Sequence, residues 1–302
     1  MMSGSVMALF SAFCFAASTT TTRRGVMRIK DVSLGGYVSV FVAPPLFLLV
    51  ALILGDLPSI AAFTWKGYLW LGIAGIIHFV IGRSSNYWSV KYLGANMASI
   101  FTAANIIYVI LLGYFVLGEH ITRNMALGSL LIMVGPALLA WPQKGGDPGA
   151  GDQTASKPRL SRKGIIAGLL TGLFFGISPL FIKWGLAEGG SALAGTFISY
   201  SSAMFILGMS MVSTTRRDSV FHMERQAVVW FILSGLFTAL AQISRYTALK
   251  LTPISIVGPL IATNTVFLLV LSFVINRKTE SFRLNVIIGA LLVVVGAALV
   301  YQ

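Results

Sequence analysis

Long apolar stretches separated by short polar ones organise the chain. A helix crosses the hydrocarbon core of a bilayer with about 20 mainly apolar residues. Ten runs of that kind follow one another, at 4–22, 34–54, 67–88, 95–117, 124–141, 164–183, 191–212, 227–249, 254–275 and 284–301. Most connections between them are short and hold the charges or the Gly/Pro punctuation that end helices. One is long. Residues 142–161, PQKGGDPGAGDQTASKPRLS, are polar and too poor in apolar side chains to pack, which predicts a flexible linker at mid-chain. The pattern predicts an all-α polytopic membrane protein with ten transmembrane helices.

Composition sharpens that picture by exclusion. The 302 residues are 56% hydrophobic and only 10% charged, and the mean hydropathy is +0.85. A soluble domain needs about 25% charged residues to cover its surface, so a water-facing globule and a disordered chain are both excluded. Cys14 is the only cysteine and cannot pair within the chain. The net charge of +13 would suit a nucleic-acid partner, but membrane proteins concentrate Lys and Arg in cytoplasmic loops. Lipid surroundings and no nucleic acid are expected. The first run ends in Cys-Phe-Ala-Ala-Ser, which resembles a signal-peptidase site, yet no basic residue precedes it. A retained first helix is expected.

The two halves resemble each other. A shift of 160 aligns Gly4 with Gly164, Ser18 with Ser178, Arg23 with Lys183, Gly25 with Gly185 and Gly75 with Gly235. A shift of 159 aligns Ser85 with Ser244, Tyr87 with Tyr246, Lys91 with Lys250 and Asn105 with Asn264. A shift of 161 aligns Glu119 with Glu280, Gly128 with Gly289 and Gly135 with Gly296. The chain therefore divides into units at 1–141 and 162–302, joined by the linker. Five helices per unit is an odd number, so the second unit enters the membrane from the opposite side. Inverted repeats of this kind characterise many secondary transporters, with the solute site near the midplane.

A Lys-centred turn precedes the fourth helix of each unit, Lys91-Tyr-Leu-Gly-Ala and Lys250-Leu-Thr-Pro-Ile. Glu119 in Leu-Gly-Glu-His and Glu280 in Lys-Thr-Glu-Ser follow those helices, glycine-spaced fifth helices come next, and Pro259 lies in the ninth. In these features the chain resembles the drug/metabolite transporter superfamily, EamA type, over nearly its whole length. Two features depart from the pattern: Ile100 stands where a first-unit proline would be, and neither second helix opens with an arginine. The resemblance implies an exporter of small polar metabolites such as amino acids, without a cofactor, in a bacterial inner membrane, as a monomer or weak homodimer.

Orientation rests on charge. Sixteen of the 22 Lys and Arg fall in odd-numbered connections and four in even-numbered ones. The positive-inside rule then puts the odd connections in the cytoplasm and both termini outside. Proteins of the resembled family have termini inside, so the two expectations conflict.

Ionisable groups inside a span are functional candidates. All nine acids lie in connections or at helix ends, which disfavours a proton-coupled drug exporter built on a buried carboxylate. His78 lies mid-way along the third run. At 100° per residue Ser85 and Asn86 share its face, and Arg83 is rotated about 140° away, toward a snorkelling position. In the eighth run Thr238, Gln242 and Arg245 share one face. Asn105 and Asn264 are repeat counterparts near the bilayer centre, as are Asn86 and Arg245, and Tyr87 and Tyr246. These nine residues (His78, Asn86, Tyr87, Asn105, Thr238, Gln242, Arg245, Tyr246 and Asn264) form the expected solute-binding set. Amides can donate to and accept from a zwitterion, and Arg245 would bind a carboxylate or phosphate. Each intramembrane amide could equally bridge neighbouring helices. No metal-ligand cluster, Walker sequence or nucleophile–base motif is present, so an enzyme is not expected. Three functions stay open: a polar-metabolite transporter, an anion exchanger similar to sugar-phosphate and nucleotide-sugar carriers, and a non-transporting membrane scaffold or enzyme.

Overall fold

The computed structural model describes residues 2–26, 28, 33–93, 95–140, 161–210, 223–275 and 284–301, and these are mostly helical, joined by turns, with no strand among them. Residues 142–160 of the expected linker and Glu280 lie outside the described residues. In chain order the helices are α1 Met2–Val26, α2 Ser33–Ile53, α3 Pro58–Ala61, α4 Trp65–Gly75, a π-helical segment Ile76–Gly82, α5 Arg83–Leu93, α6 Ala95–Thr102, α7 Asn105–Leu117, α8 Arg123–Ala140, α9 Arg162–Ala187, α10 Ala192–Ser210, α11 Arg225–Leu251, α12 Ile254–Ala262, α13 Asn264–Ile275 and α14 Leu284–Tyr301. Seven stretches are long and apolar enough to cross a membrane, and shorter apolar helices cover 40–53, 123–135 and 288–301.

Between membrane helices there is no hydrophobic driving force, so close packing and hydrogen bonds hold them. Small residues allow that packing here. A Cβ on Gly4 of α1 would meet Leu251 and Thr252 at the end of α11, and one on Gly164 of α9 would meet Tyr92 and Leu93 at the end of α5. A Cβ on Gly25 would meet Phe231, and one on Gly185 would meet Leu71. Each of these contacts becomes the other when the two halves are exchanged. The helix pairs obey the same exchange: α1 packs on α11, α12 and α13 as α9 packs on α4, α5, α6 and α7, and α2 packs on α11 as α10 packs on α4.

In the pair α8 and α14 backbone approaches backbone. A Cβ on Gly128 would lie 2.4 Å from the carbonyl oxygen of Gly296, and one on Gly135 would lie 2.7 Å from that of Gly289. The residue numbers rise along one helix as they fall along the other, so these helices are antiparallel.

The connections sort onto two faces. Ser5, Glu119, Thr122, Lys183, Pro253 and Tyr301 line one cavity, and on the same face Thr64 donates to Glu188, Ser191 to Asp56, and Lys250 to the Gly190 carbonyl. Both chain-terminal helix ends and the even-numbered connections therefore share a face. Arg28 pairs with Glu224 at 3.0 Å between the first and seventh connections. On the first face, α12 begins after Pro253, which supplies no side-chain cap. Glu119 provides the missing acceptor from the other half: Ile254 N donates to Oε1 at 2.8 Å and Ser255 N to Oε2 at 3.0 Å. Lys183 Nζ stands 3.6 Å from the same carboxylate and donates to the Thr252 carbonyl at 3.0 Å. A carboxylate at a helix N-terminus satisfies orphan N–H groups and opposes the positive end of the dipole.

Candidate functional site

Three elements bring the interior polar side chains together. His78 comes from the π segment, Ser178 from α9 and Arg245 from α11. Single-turn π segments occur mostly inside α-helices, frequently at functional sites. Here the Arg83 amide donates to the carbonyl of His78, five residues back. The wider turn changes the angular phase of everything after it. Arg83 is half-buried and has its guanidinium 5.8 Å over the ring of Phe79, four residues before it.

Local chemistry explains Ser178. Pro179 has no N–H for the carbonyl of Phe175, and the Ser178 hydroxyl donates to that carbonyl at 3.3 Å. Its oxygen stands 2.8 Å from His78 Nδ1 and 3.3 Å from Arg245 Nη2, and Arg245 Nη1 stands 3.3 Å from His78 Nε2. One proton arrangement satisfies all of these. Guanidinium only donates, so His78 Nε2 accepts, the ring proton sits on Nδ1, and Nδ1–H donates to Ser178. The imidazole stacks on Phe175, with centroids 4.6 Å apart.

Around this cluster other polar groups are buried. Arg245 is only 7% exposed, Tyr200 0% and Gln242 1%. The Tyr200 hydroxyl and the Gln242 side chain lie within reach of each other, and Gln242 Oε1 accepts no hydrogen bond among the described residues. Tyr200 packs its ring on Phe79, with centroids 4.0 Å apart. Buried polar groups are normally hydrogen-bonded, so an open amide oxygen beside a buried guanidinium suits a polar occupant.

The remaining expected residues divide. Thr238 is buried and its Oγ1 stands 2.6 Å from Ser18 Oγ, the repeat counterpart of the His78–Ser178 contact. Tyr246 is buried, whereas Asn86 and Tyr87 are half-buried. Asn105 and Asn264 are also half-buried. Each opens the second half of an interrupted helix, Asn105 after the turn at Ala103–Ala104 and Asn264 after Thr263. Among the described residues the Asn105 side chain makes no hydrogen bond, and Asn264 Oδ1 accepts only from Thr265 beside it, at 3.3 Å. Neither bridges helices there, and the described hydrogen bonds do not join either one to the His78 cluster. Sequence reasoning missed Ser178 and Tyr200 as site residues. The match of Ser178 with Ser18 was the available signal for the first. Tyr200 carried none, since tyrosines in apolar runs commonly belong to interfacial belts.

A helical bundle of membrane-crossing length, with interrupted helices and a polar interior cluster, defines a membrane-transporter class of protein. The model of the EamA-like transporter family matches residues 2–141 and again 162–302, and the chain belongs to that family. It is a multi-pass integral membrane protein of the drug/metabolite transporter superfamily. Among solved structures, one titled only as the crystal structure of a protein has a TM-score of 0.76 at 13% identity, covering 99% of this chain and 96% of the other. That likeness concerns the fold alone. Comparison with curated proteins gives no match.

Proposed function

We propose that the chain is a ten-span secondary transporter that exports small polar metabolites, such as amino acids, by alternating access between two inverted five-helix units at 1–141 and 162–302. The carrying observation is the interruption of both the fourth and ninth spans at counterpart positions, immediately before Asn105 and Asn264. At both places tight i→i−3 bonds, Ala104 N to the Phe101 carbonyl and Thr263 N to the Leu260 carbonyl, replace the regular ladder, and interrupted helices line the midplane sites of many transporters. The antiparallel Gly128–Gly296 and Gly135–Gly289 pairs, which exchange under the repeat, support inversion. The solute site draws on His78, Asn105, Gln242, Arg245 and Asn264, with Asn86, Tyr87, Thr238 and Tyr246 around it.

A second reading, exchange of anionic solutes, is favoured by one observation: among the described residues Arg245 is buried with the neutral partners His78 and Ser178. Counterflow in proteoliposomes tests both. Exchange of neutral polar or zwitterionic solutes supports the first, strict dependence on an anionic solute on the opposite side supports the second, and no exchange of any solute removes both.

A further inference from the structure

We propose that an oxyanion of the solute and a proton occupy the Arg245–His78 site together. The solute draws the guanidinium away from His78 Nε2, and the freed nitrogen takes the proton. This rests on the transporter reading and deepens it by naming the solute's chemistry and what travels with it.

Among the described residues Arg245 has no anionic partner. Of the acids among the described residues, Asp56 is engaged by Ser59 and Ser191, Glu119 by Lys183 and the start of α12, Glu188 by Thr64, and Glu224 by Arg28. Removing a charge from water is costly unless it is paired. Among the described residues the guanidinium has two neutral acceptors, both at 3.3 Å, whereas charge-assisted N–H···O bonds run at about 2.7–2.9 Å. An oxyanion offers a shorter and stronger contact, so the guanidinium moves to it.

The neighbouring groups fit the same occupant. The Tyr200 hydroxyl, which the Gln242 amide approaches as a donor, keeps its proton for a second oxygen of a carboxylate or phosphate. Gln242 Oε1 is a free acceptor for an ammonium or hydroxyl beside it.

The proton follows from bond counting. Nε2 has one lone pair, now spent on Arg245. When the guanidinium turns to the solute, that lone pair is released. The charged and titratable groups facing His78 are Arg245 from α11 and Arg83 from α5, with Tyr200 on α10; α9 presents the neutral Ser178 and Phe175. A monoanion neutralises one guanidinium, and a proton on Nε2 then donates to the same oxyanion. A monoanion and a proton together leave the net charge of the site unchanged, so the loaded interior is no more highly charged than the empty one.

The test uses the purified full-length protein in a lightly buffered solution near neutral pH. The probes are L-alanine, L-lactate, succinate and inorganic phosphate, with alaninamide and lactamide as partners lacking the carboxylate. Binding is read by thermal stabilisation and proton uptake by a pH electrode. The expected result is binding of at least one oxyanion with uptake approaching one proton per bound molecule, and none with the amides. The carboxylates and phosphate separate the two sources of oxyanion. Arg245→Gln should weaken that binding roughly ten- to a hundredfold, and Arg245→Lys serves if the first variant fails to fold. In His78→Gln the uptake per bound oxyanion should fall to zero, whatever its affinity. Oxyanion binding without proton uptake, or binding that survives Arg245→Gln, overturns the proposal, as does the absence of binding by every oxyanion. If the amides bind and exchange in proteoliposomes while the oxyanions do not, the proposal falls and the transporter reading stands.

Discussion

His78 Nδ1 lies 2.8 Å from Ser178 Oγ, a contact between the two halves of the chain. Its repeat counterpart joins Thr238 to Ser18 at 2.6 Å. The same position in the duplicated unit therefore holds a charge-bearing network in one copy and a neutral hydroxyl pair in the other. Duplication supplied the geometry, and divergence of Thr238 and His78 made the interior asymmetric.

That asymmetry sets unequal costs for the two serines. Ser178→Ala leaves His78 Nδ1–H, Arg245 Nη2 and the Phe175 carbonyl short of a partner. A buried group left unsatisfied costs about 1–3 kcal/mol, more when charged. Ser18→Ala removes hydroxyl contacts of the kind worth about 0.6 kcal/mol within membranes. Thermal unfolding of the purified variants should show the larger drop for Ser178→Ala, and equal drops would refute the proton arrangement described for the cluster.

The antiparallel α8–α14 pair depends on missing side chains. Gly128→Ala would put a methyl carbon 2.4 Å from the Gly296 carbonyl oxygen, and overpacking of this kind costs about 1–3 kcal/mol. Gly72→Ala is the control, because its nearest neighbour is the Ser202 Cβ at 3.9 Å. There the only effect is the gain of about 0.5–1 kcal/mol that Ala brings over Gly inside a helix. Yield and melting temperature should fall for the first and hold or rise for the second.

The helix caps add a third test. Glu119→Ala strips the acceptor from two N–H groups at the start of α12 and the ion partner from Lys183. Loss of a good N-terminal cap costs about 0.5–2 kcal/mol. Lys183→Met should cost less, since the lysine is 30% exposed and partly exposed ion pairs contribute little. Melting temperatures that rank the other way would show the ion pair to be the stronger element.

Much of this architecture was legible in the residues. The apolar runs lie within a few residues of the helices, and the match of Lys91 with Lys250 and Asn105 with Asn264 located the repeat. Two features were not legible. The π segment has no signature in Ile-Ile-His-Phe-Val-Ile-Gly. The interruptions were equally hidden. Pro259 suggests a break in the ninth span, but its counterpart is Ile100, and the fourth span breaks at the matching place without a proline. Packing of Gly172 and Gly176 against the backbone around Phe101 and Asn105 is a tertiary cause that no local pattern reports. The Glu119 cap was likewise visible only as a family mark, because its partners are 135 and 136 residues away.

The last prediction concerns the two asparagines. Helix-bridging amides would make Asn105→Ala and Asn264→Ala unstable, whereas solute-binding amides would make them weak binders with normal folds. Neither side chain bridges to another helix among the described residues, and alanine is the stronger helix former, so stability should be kept. A lost hydrogen bond to a charged part of the solute weakens binding by about 1.5–3 kcal/mol, and one to a neutral part by about 0.5–1.5 kcal/mol. Counterflow with a transported solute should therefore show affinity reduced severalfold to a hundredfold in each variant, at unchanged melting temperature. Because the two positions are counterparts, reductions of similar size would indicate a solute held across the pseudo-twofold axis. A drop in only one would seat the solute within a single half. Unfolded variants whose surviving fraction binds normally would return both residues to a structural role.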